Sequence, residues 1–532
     1  MSQGRSVEVK DVGVGPFAYT AESTVSGAPR RPVTEPEPGT YGLDPETGRW
    51  RHPEAAEPRW GPIPNEWSLD HYDENTYLHN TAVEKFYPIV VWPRHSWAAL
   101  ADFDGRRVMY HYYRRKLVVI DVTLPQDARV LLEREYDDVD GFGPIVIKDN
   151  PRLGKKIMIQ ALEIPRFGVV ENKYTGPEGV ATVRGDCMLR GFKVYELHGP
   201  LPEQWELLSE VTTDPARTAD ERPQEGSGAI DVPVYFGGDL LYIAAAPDDT
   251  FRHNEYKTVL WAGAQLVYDL RDPRHPRLLD TWWAPGSRAG EEEEYDRNPR
   301  AGNQTSWMGA RMPVFVPNEH SRYGYAAMGG FGMYVLDVSD PADLKAVGHL
   351  ELPPSVPGTE CDTVVVSRVE ETGVVYLNGY PLNQDGHEPY KEIYAVDVSD
   401  PANPVIISTL PRPVPPEEAP FTDWVQRGGM FGPKRPGYYL NDTGTPHPTV
   451  MPYVFYNAGV QFFDVSDPRE VRIAGWFVPK MCDLSVSDDI ANPVGSMVIE
   501  WDRRLIWVFS NHGMYLISSP LLGEPVLGPP PR

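Results

Sequence analysis

The chain has very little cysteine. Cys187, Cys361 and Cys482 are its only three in 532 residues, an odd, widely spaced set that makes neither a zinc knuckle nor a redox pair. Extracellular chains often lean on disulfides, so this scarcity points to the cytoplasm. Long apolar runs are missing too. No stretch approaches the roughly 18 apolar residues that cross a bilayer, and Met1 to Val14 is polar, without the apolar centre of a secretory leader. Positive charge is also short: 50 Lys and Arg stand against 76 Asp and Glu, a net charge of −26. Such a field repels nucleic-acid phosphates and anionic membrane surfaces. The richest basic cluster, Arg114-Arg115-Lys116, is too short to reverse it, so neither a nucleic-acid nor a membrane partner is expected. There is no His-Glu-x-x-His and no Gly-x-Ser-x-Gly, and Gly329-Gly330-Phe331-Gly332 leads into a strand rather than a helix.

What the chain does have is turns. With 55 prolines and 47 glycines, short strands are favoured over long helices. One unit recurs: Met333-Tyr334-Val335-Leu336-Asp337-Val338-Ser339-Asp340-Pro341, then Ile393 to Pro401, then Val460 to Pro468, each reading strand then Asp-Val-Ser-Asp-Pro. Leu117 to Pro125 and Leu266 to Pro273 are weaker copies. β-Branched and aromatic residues make the strand. The Ser-Asp-Pro that follows ends it, because proline fixes φ and lacks an N–H while Ser and Asp bond nearby backbone. Around each copy lie three further strand-like runs, in the fourth unit 311–317, 323–328 and 345–350 beside 333–338. Four strands per unit is the arithmetic of a propeller blade. The expectation is an all-β, seven-bladed β-propeller, with blades near 95–135, 142–213, 228–285, 308–352, 360–411, 428–479 and 494–528.

These units resemble the LVIVD-repeat family of propellers; Leu117-Val118-Val119-Ile120-Asp121-Val122 nearly spells its name. The resemblance implies the fold and no single reaction. It also implies Phe-Gly-Pro-His-Asn in the sixth unit, where this chain reads Phe431-Gly432-Pro433-Lys434-Arg435. The His-Asn positions are Lys-Arg.

Residues 1–60 read as an extension that packs on the propeller at its end, and 61–528 as the propeller itself. Ile89-Val90-Val91-Trp92 is the expected closing strand of the last blade, with Pro525-Val526-Leu527-Gly528 as the alternative. In a blade of four strands, the second-to-third and outer-to-inner connections leave one face. Long insertions concentrate there: 165–190, 248–263, 380–390, 213–227, 285–307, 412–428 and 480–493. The exception is the first-to-second connection of unit 6, 441–450. The insertion-rich face is therefore the expected functional one.

The two-residue turn Asp104-Gly105 pairs Phe103 with Arg106, which sets Trp97 opposite Tyr112 and His95 opposite Arg114. On that face His95 is the expected general acid or base, Arg114 an oxyanion holder, and Glu360 or Asp362 the completing carboxylate. Trp307, His253, Arg166, His512, Lys434 and Arg435 are the expected binding residues. Lys434 and Arg435 supply positive potential in an acidic molecule. His111 is read as wedged between blades, and 291–294 as a solvated loop. The function so implied is a small-molecule enzyme of lyase, hydrolase or isomerase type, acting on an anionic or carbonyl substrate, with no metal ligands and no cofactor expected. Two alternatives stand beside it: a non-catalytic protein-interaction scaffold, and an iron- or copper-dependent propeller oxidase or oxygenase.

Overall fold

The structure, a computed structural model, describes residues 73, 75–88, 97–113, 116–136, 144–162, 173–174, 181–182, 191–212, 232–245, 264–288, 290–297, 309–310, 312–352, 359–381, 390–420, 422–427, 430–481, 494–510 and 513–531. The chain is a seven-bladed β-propeller. Blade 1 comprises, from the axis outward, Trp97–Phe103, Arg106–Tyr113, Lys116–Asp121 and Arg129–Glu135. Blade 2 is Ile145–Asn150, Lys155–Leu162, Gly191–Leu197 and Trp205–Thr212. Blade 3 is Val234–Tyr235, Leu240–Ala245, Ala264–Asp269 and Arg277–Trp283. Blade 4 has Tyr323–Ala327, Met333–Asp337 and Lys345–Leu350, with its inner position marked by a bridge from Phe315 to Tyr325. Blade 5 is Thr359–Val365, Val374–Tyr380, Ile393–Asp397 and Val405–Thr409.

The first hairpin has the register its turn demands: Phe103 pairs with Arg106 and Trp97 with Tyr112. Asp104 and Gly105 both adopt positive φ, 47° and 82°, as a two-residue turn of this twist requires. The run Leu117-Val118-Val119-Ile120 shows no polar alternation because both faces of its blade are covered. Leu117 and Val119 pack in the core toward blade 2, while Val118 and Ile120 pack against Val498, Trp507 and Phe509 of blade 7. His111 lies in that second seam, 3% exposed, its ring 4.5 Å from that of Phe509. Burial holds its pKa down to about 3, so it is a neutral packing residue.

The repeat motif is two consecutive Asx turns. Asp337 Oδ1 accepts from Ser339 N at 3.0 Å and Asp340 Oδ1 from Ala342 N at 3.0 Å. The same pairs recur at Asp397 and Asp400, and at Asp464 and Asp467. The motif is thus a strand-terminating device that fixes the tight outer hairpin.

Two N-terminal strands complete the last blades. Blade 6 is Val450–Val454, Val460–Asp464 and Arg472–Val478, extended outward by Tyr77–His79. Blade 7 is Val494–Glu500, Leu505–Ser510 and Gly513–Ser518, closed by Ala82–Tyr87 paired antiparallel to Gly513–Ser518. The ring therefore closes on a strand earlier than Ile89-Val90-Val91-Trp92, which lies outside the described residues. Residues 525–528 form no strand; Val526 N bonds Arg503 O at 2.9 Å. An outermost strand is half solvated, and Ala82–Tyr87 is mostly exposed, so the most apolar run was the wrong signal for it.

Blade 7 meets blade 1 through a buried ionic lattice. Arg107, 2% exposed, holds Asp102 at 2.8 Å, Glu500 at 2.6 Å and Asp502 at 2.8 Å. Arg503 also holds Glu500, at 2.6 Å. At 291–294, expected as a solvated loop, Glu293 and Glu294 are exposed but stand on the start of a short helix, Glu292–Arg297. Before it, Glu291 accepts hydrogen bonds from Trp283 Nε1 at 2.9 Å and Gly286 N at 2.9 Å. Among the described residues no helix is long and apolar enough to cross a membrane.

Candidate functional site

The axis of the ring is occupied by the chain itself. Blade 6 has only a bridge, Arg435 to Val454, where an inner strand would run. Past it the chain turns at Pro436-Gly437 and crosses the axis, so that residues 434–443 reach every blade. Leu100 N of blade 1 donates to Asn441 O at 3.2 Å, and Asn441 Nδ2 donates to Ile145 O of blade 2 at 3.2 Å. Tyr438 Oη donates to Pro233 O at 2.9 Å beside blade 3, and Tyr439 Oη to Val316 O of blade 4 at 2.9 Å. Asn378 Nδ2 of blade 5 donates to Lys434 O at 3.3 Å. Lys434 N donates to Val454 O at 2.8 Å in blade 6, and Ile499 N of blade 7 donates to Asp442 Oδ1 at 2.8 Å. Gly437 lets the Asp442 carboxylate close in: a Cβ there would stand 3.0 Å from it. This axial pin was half legible, since 441–450 stood out as a long connection on the otherwise plain face.

Above the pin, at the end from which the insertion-rich connections leave, three of the sequence-selected residues come together. Lys434 is 1% exposed, Arg435 3% and Asp362 1%. The Arg435 guanidinium carbon lies 3.9 Å from the Trp97 ring centre, and Lys434 Nζ lies 5.8 Å from Trp97 and 5.4 Å from Tyr456. Lys434 Nζ also donates to Gly495 O. These are cation–π packings at desolvated sites. Asp362 Oδ2 accepts from Thr363 Oγ1 at 2.8 Å. Asp362 and Arg435 flank Tyr453, whose phenol donates to Asn378 Oδ1. Burial first, then the Asp362 charge, pushes the Tyr453 pKa well above 10, with Arg435 opposing. Tyr453 therefore stays protonated and acts as a donor.

The backbone here is strained. Tyr456 has φ of +49°, a conformation a bulky residue rarely takes and one that collects at functional sites. Its hydroxyl donates to Tyr380 Oη at 2.9 Å. Gly459, three residues on, has φ of +67°, and a Cβ there would meet Phe477 O at 2.1 Å. Nothing in the sequence marked Tyr453, Tyr456 or Tyr380, because their approach to Lys434 and Asp362 depends on two blades meeting.

Glu360 lies in the inner strand of blade 5, Thr359–Val365, with its side chain outside what is described. His95, Arg114, Trp307, His253, Arg166 and His512 lie outside the described residues, as do most of 165–190, all of 248–263, and 289 and 298–306 of the connection 286–306. One group of three ligating side chains occurs among the described residues: Glu196, His198 and Glu206 on blade 2. Its carboxylates are already held by cations, Glu196 by Lys155 at 2.5 Å and Glu206 by Arg274 at 2.5 Å.

A cavity of ≈ 70 Å³ adjoins the pin between blades 5 and 6. Arg435 and Thr363 border it, as do Arg368 and His447 from the two first-to-second connections of those blades. It therefore opens on the face opposite the insertion-rich one.

No protein-family model matches the chain, and no curated protein matches it. Among solved structures, a chain from "Crystal Structure of Mitotic Checkpoint Complex" is similar at 10% identity, over 83% of this chain and 96% of that chain, with a TM-score of 0.40. The fold assignment rests on the seven sheets.

Proposed function

We propose that the protein is a small-molecule enzyme of lyase, hydrolase or isomerase type, with its reacting centre at the axial end bounded by Lys434, Arg435, Asp362 and Tyr453. One observation supports this reading: two cations, each no more than 3% exposed, pack on aromatic rings at that end, and the buried Asp362 carboxylate acts on Tyr453 beside Arg435, in a chain of net charge −26. Fixed cations in a desolvated site stabilise developing negative charge on an oxygen. Titratable groups gathered beside such a site are the usual place to find acid–base chemistry. In this scheme Lys434 and Arg435 hold an anionic or carbonyl oxygen. Tyr453 donates a hydrogen bond and Asp362 moves the proton, with His95 as the further acid or base and Arg114 as the further oxygen-holding cation of the scheme. The assignment of the repeats to the LVIVD type is part of the same proposal, supported by the recurring Asp-Val-Ser-Asp-Pro turn.

The test is a thermal-shift and calorimetric panel of pyruvate, 2-oxoglutarate and inorganic phosphate on wild type, Lys434→Met and Asp362→Asn. At least one probe should bind wild type and lose about tenfold or more in Lys434→Met, the loss of one charge-assisted contact. Once a substrate is found, Asp362→Asn should keep binding and lower turnover about 10²–10⁴-fold. Probes that bind neither protein, or both alike, would discard the reading.

A further inference from the structure

We propose that the cavity between blades 5 and 6 is a second binding site, on the face opposite the axial centre, for a short branched monocarboxylate whose oxygens meet Arg368 Nε and His447 Nε2.

The cavity has a structural cause. Arg435 and Lys434 pair with Val454, and then the chain leaves for the axis. Among the described residues, the rest of Val450–Val454 has no inner strand beside it. The vacated half of that strand position is walled by Val450 and Met451 on one side and by Val374 and Tyr376 of blade 5 on the other, and Phe315 and Trp501 also line it. The sides are apolar and the opening is not.

At the opening stand two donors. Arg368 Nη2 pairs with Glu371, whereas Arg368 Nε is buried and has no hydrogen-bond partner among the described residues. A buried guanidinium N–H calls for an acceptor. His447 Nδ1 accepts from Thr449 N at 3.3 Å and Val450 N at 3.1 Å. The proton of the neutral ring therefore sits on Nε2, which makes it a donor. Burial, and then the Arg368 charge, lowers the His447 pKa, so the ring stays neutral near pH 7. The two residues are close enough to feel each other and present one cation and one neutral donor, which suits a single negative charge shared over two oxygens. Arg435 and Asp442 also border the cavity; Arg435 adds positive charge, and burial holds the Asp442 pKa up to about 7, so Asp442 opposes a monoanion only in part at neutral pH.

Size narrows the class. A volume of ≈ 70 Å³ lies between the roughly 30 Å³ share of one water and the roughly 150 Å³ cavity that takes benzene. The enclosed part suits a short branched aliphatic group and is small for a ring.

The experiment is calorimetric titration of the full chain with isobutyrate, its neutral amide isobutyramide, benzoate and inorganic phosphate. Isobutyrate should saturate at one site, with isobutyramide about tenfold weaker or more. Arg368→Gln should weaken isobutyrate by a similar factor, and Val374→Phe, which fills the cavity, should abolish binding. Lys434→Met should bind isobutyrate as wild type does, because Lys434 does not border this cavity; failure of the axial reading would leave this result intact. No saturable isobutyrate binding at millimolar concentration overturns the proposal. So does equal affinity in Arg368→Gln or Val374→Phe, or phosphate competing as well as isobutyrate.

Discussion

Closing the ring joins the last blade to the first, and Arg107 carries the polar half of that joint. Replacing it with Met keeps the apolar stem and removes the charge. Its bonds to Asp102 go, at 2.8 and 2.9 Å, as do those to Asp502, at 2.9 and 2.8 Å, and the one to Glu500 at 2.6 Å. The Asp102 side chain is 50% exposed and can rehydrate, so its loss contributes little. Asp502, at 18%, and Glu500, at 0%, cannot do so fully. Arg503 still neutralises Glu500 at 2.6 Å, which puts Arg107→Met near the lower end of the about 3–5 kcal/mol that follows loss of one partner from a buried pair. The pH dependence has a definite sign. Burial alone would raise the Asp502 pKa, but hydrogen bonds from Arg107 and Thr443 hold it below the ordinary carboxylate value. Its contribution in wild type is thus present above the unfolded value, about 3.9, and is lost as pH falls through the lower folded one. In Arg107→Met the Thr443 hydrogen bond and the Arg503 charge still oppose burial, so Asp502 is held down less and the part of the stability that is lost as pH falls shrinks. Urea unfolding at several pH values, followed by tryptophan fluorescence, reads this joint directly, since Trp507 Nε1 donates to Glu500 Oε1 at 2.6 Å. A loss under about 1 kcal/mol, or a variant whose stability falls with falling pH by as much as the wild type's does, would refute the reasoning.

Two further outcomes follow. A chain beginning at residue 94 lacks Ala82–Tyr87 and leaves Gly513–Ser518 as an open edge; it should lose cooperative thermal unfolding by calorimetry, and a melt like that of the intact chain would sink the closure assignment. Burial raises the Asp442 pKa to about 7, so its stabilising contribution is full below the unfolded carboxylate value near 4 and is lost as pH rises through about 7. Asp442→Asn should therefore gain melting temperature relative to wild type between pH 5 and 8, and a difference that does not change with pH would count against it.

The repeats, the all-β class and the first hairpin were legible because each is local. A strand followed by Asp-Val-Ser-Asp-Pro needs only neighbouring residues to form, and Asp104-Gly105 sets its own register. Ring closure was less so: whether 82–87 or 89–92 pairs with Gly513–Ser518 depends on chain far away in sequence, and the outer position rewards modest rather than maximal apolarity. The approach of Lys434 and Arg435 to Asp362 was anticipated only in outline, from their shared face. Their burial, the Trp97 ring beneath them and the Tyr453–Asn378 bridge could not be anticipated, since three blades must already be in place.

By itself the sequence determined the unit of the fold, its repetition, and the side from which long connections leave, because backbone propensity, turn chemistry and strand periodicity act over a few residues. Only the tertiary structure decided what fills the axis. In the sequence 441–450 stood out only as a long connection; residues 434–443 become a pin because the missing inner strand of blade 6 sends them inward, where backbone groups of six blades and the Asn378 side chain of blade 5 meet them at hydrogen-bonding distance. The same detour opens the cavity between blades 5 and 6, so both features come from long-range packing that no local pattern encodes.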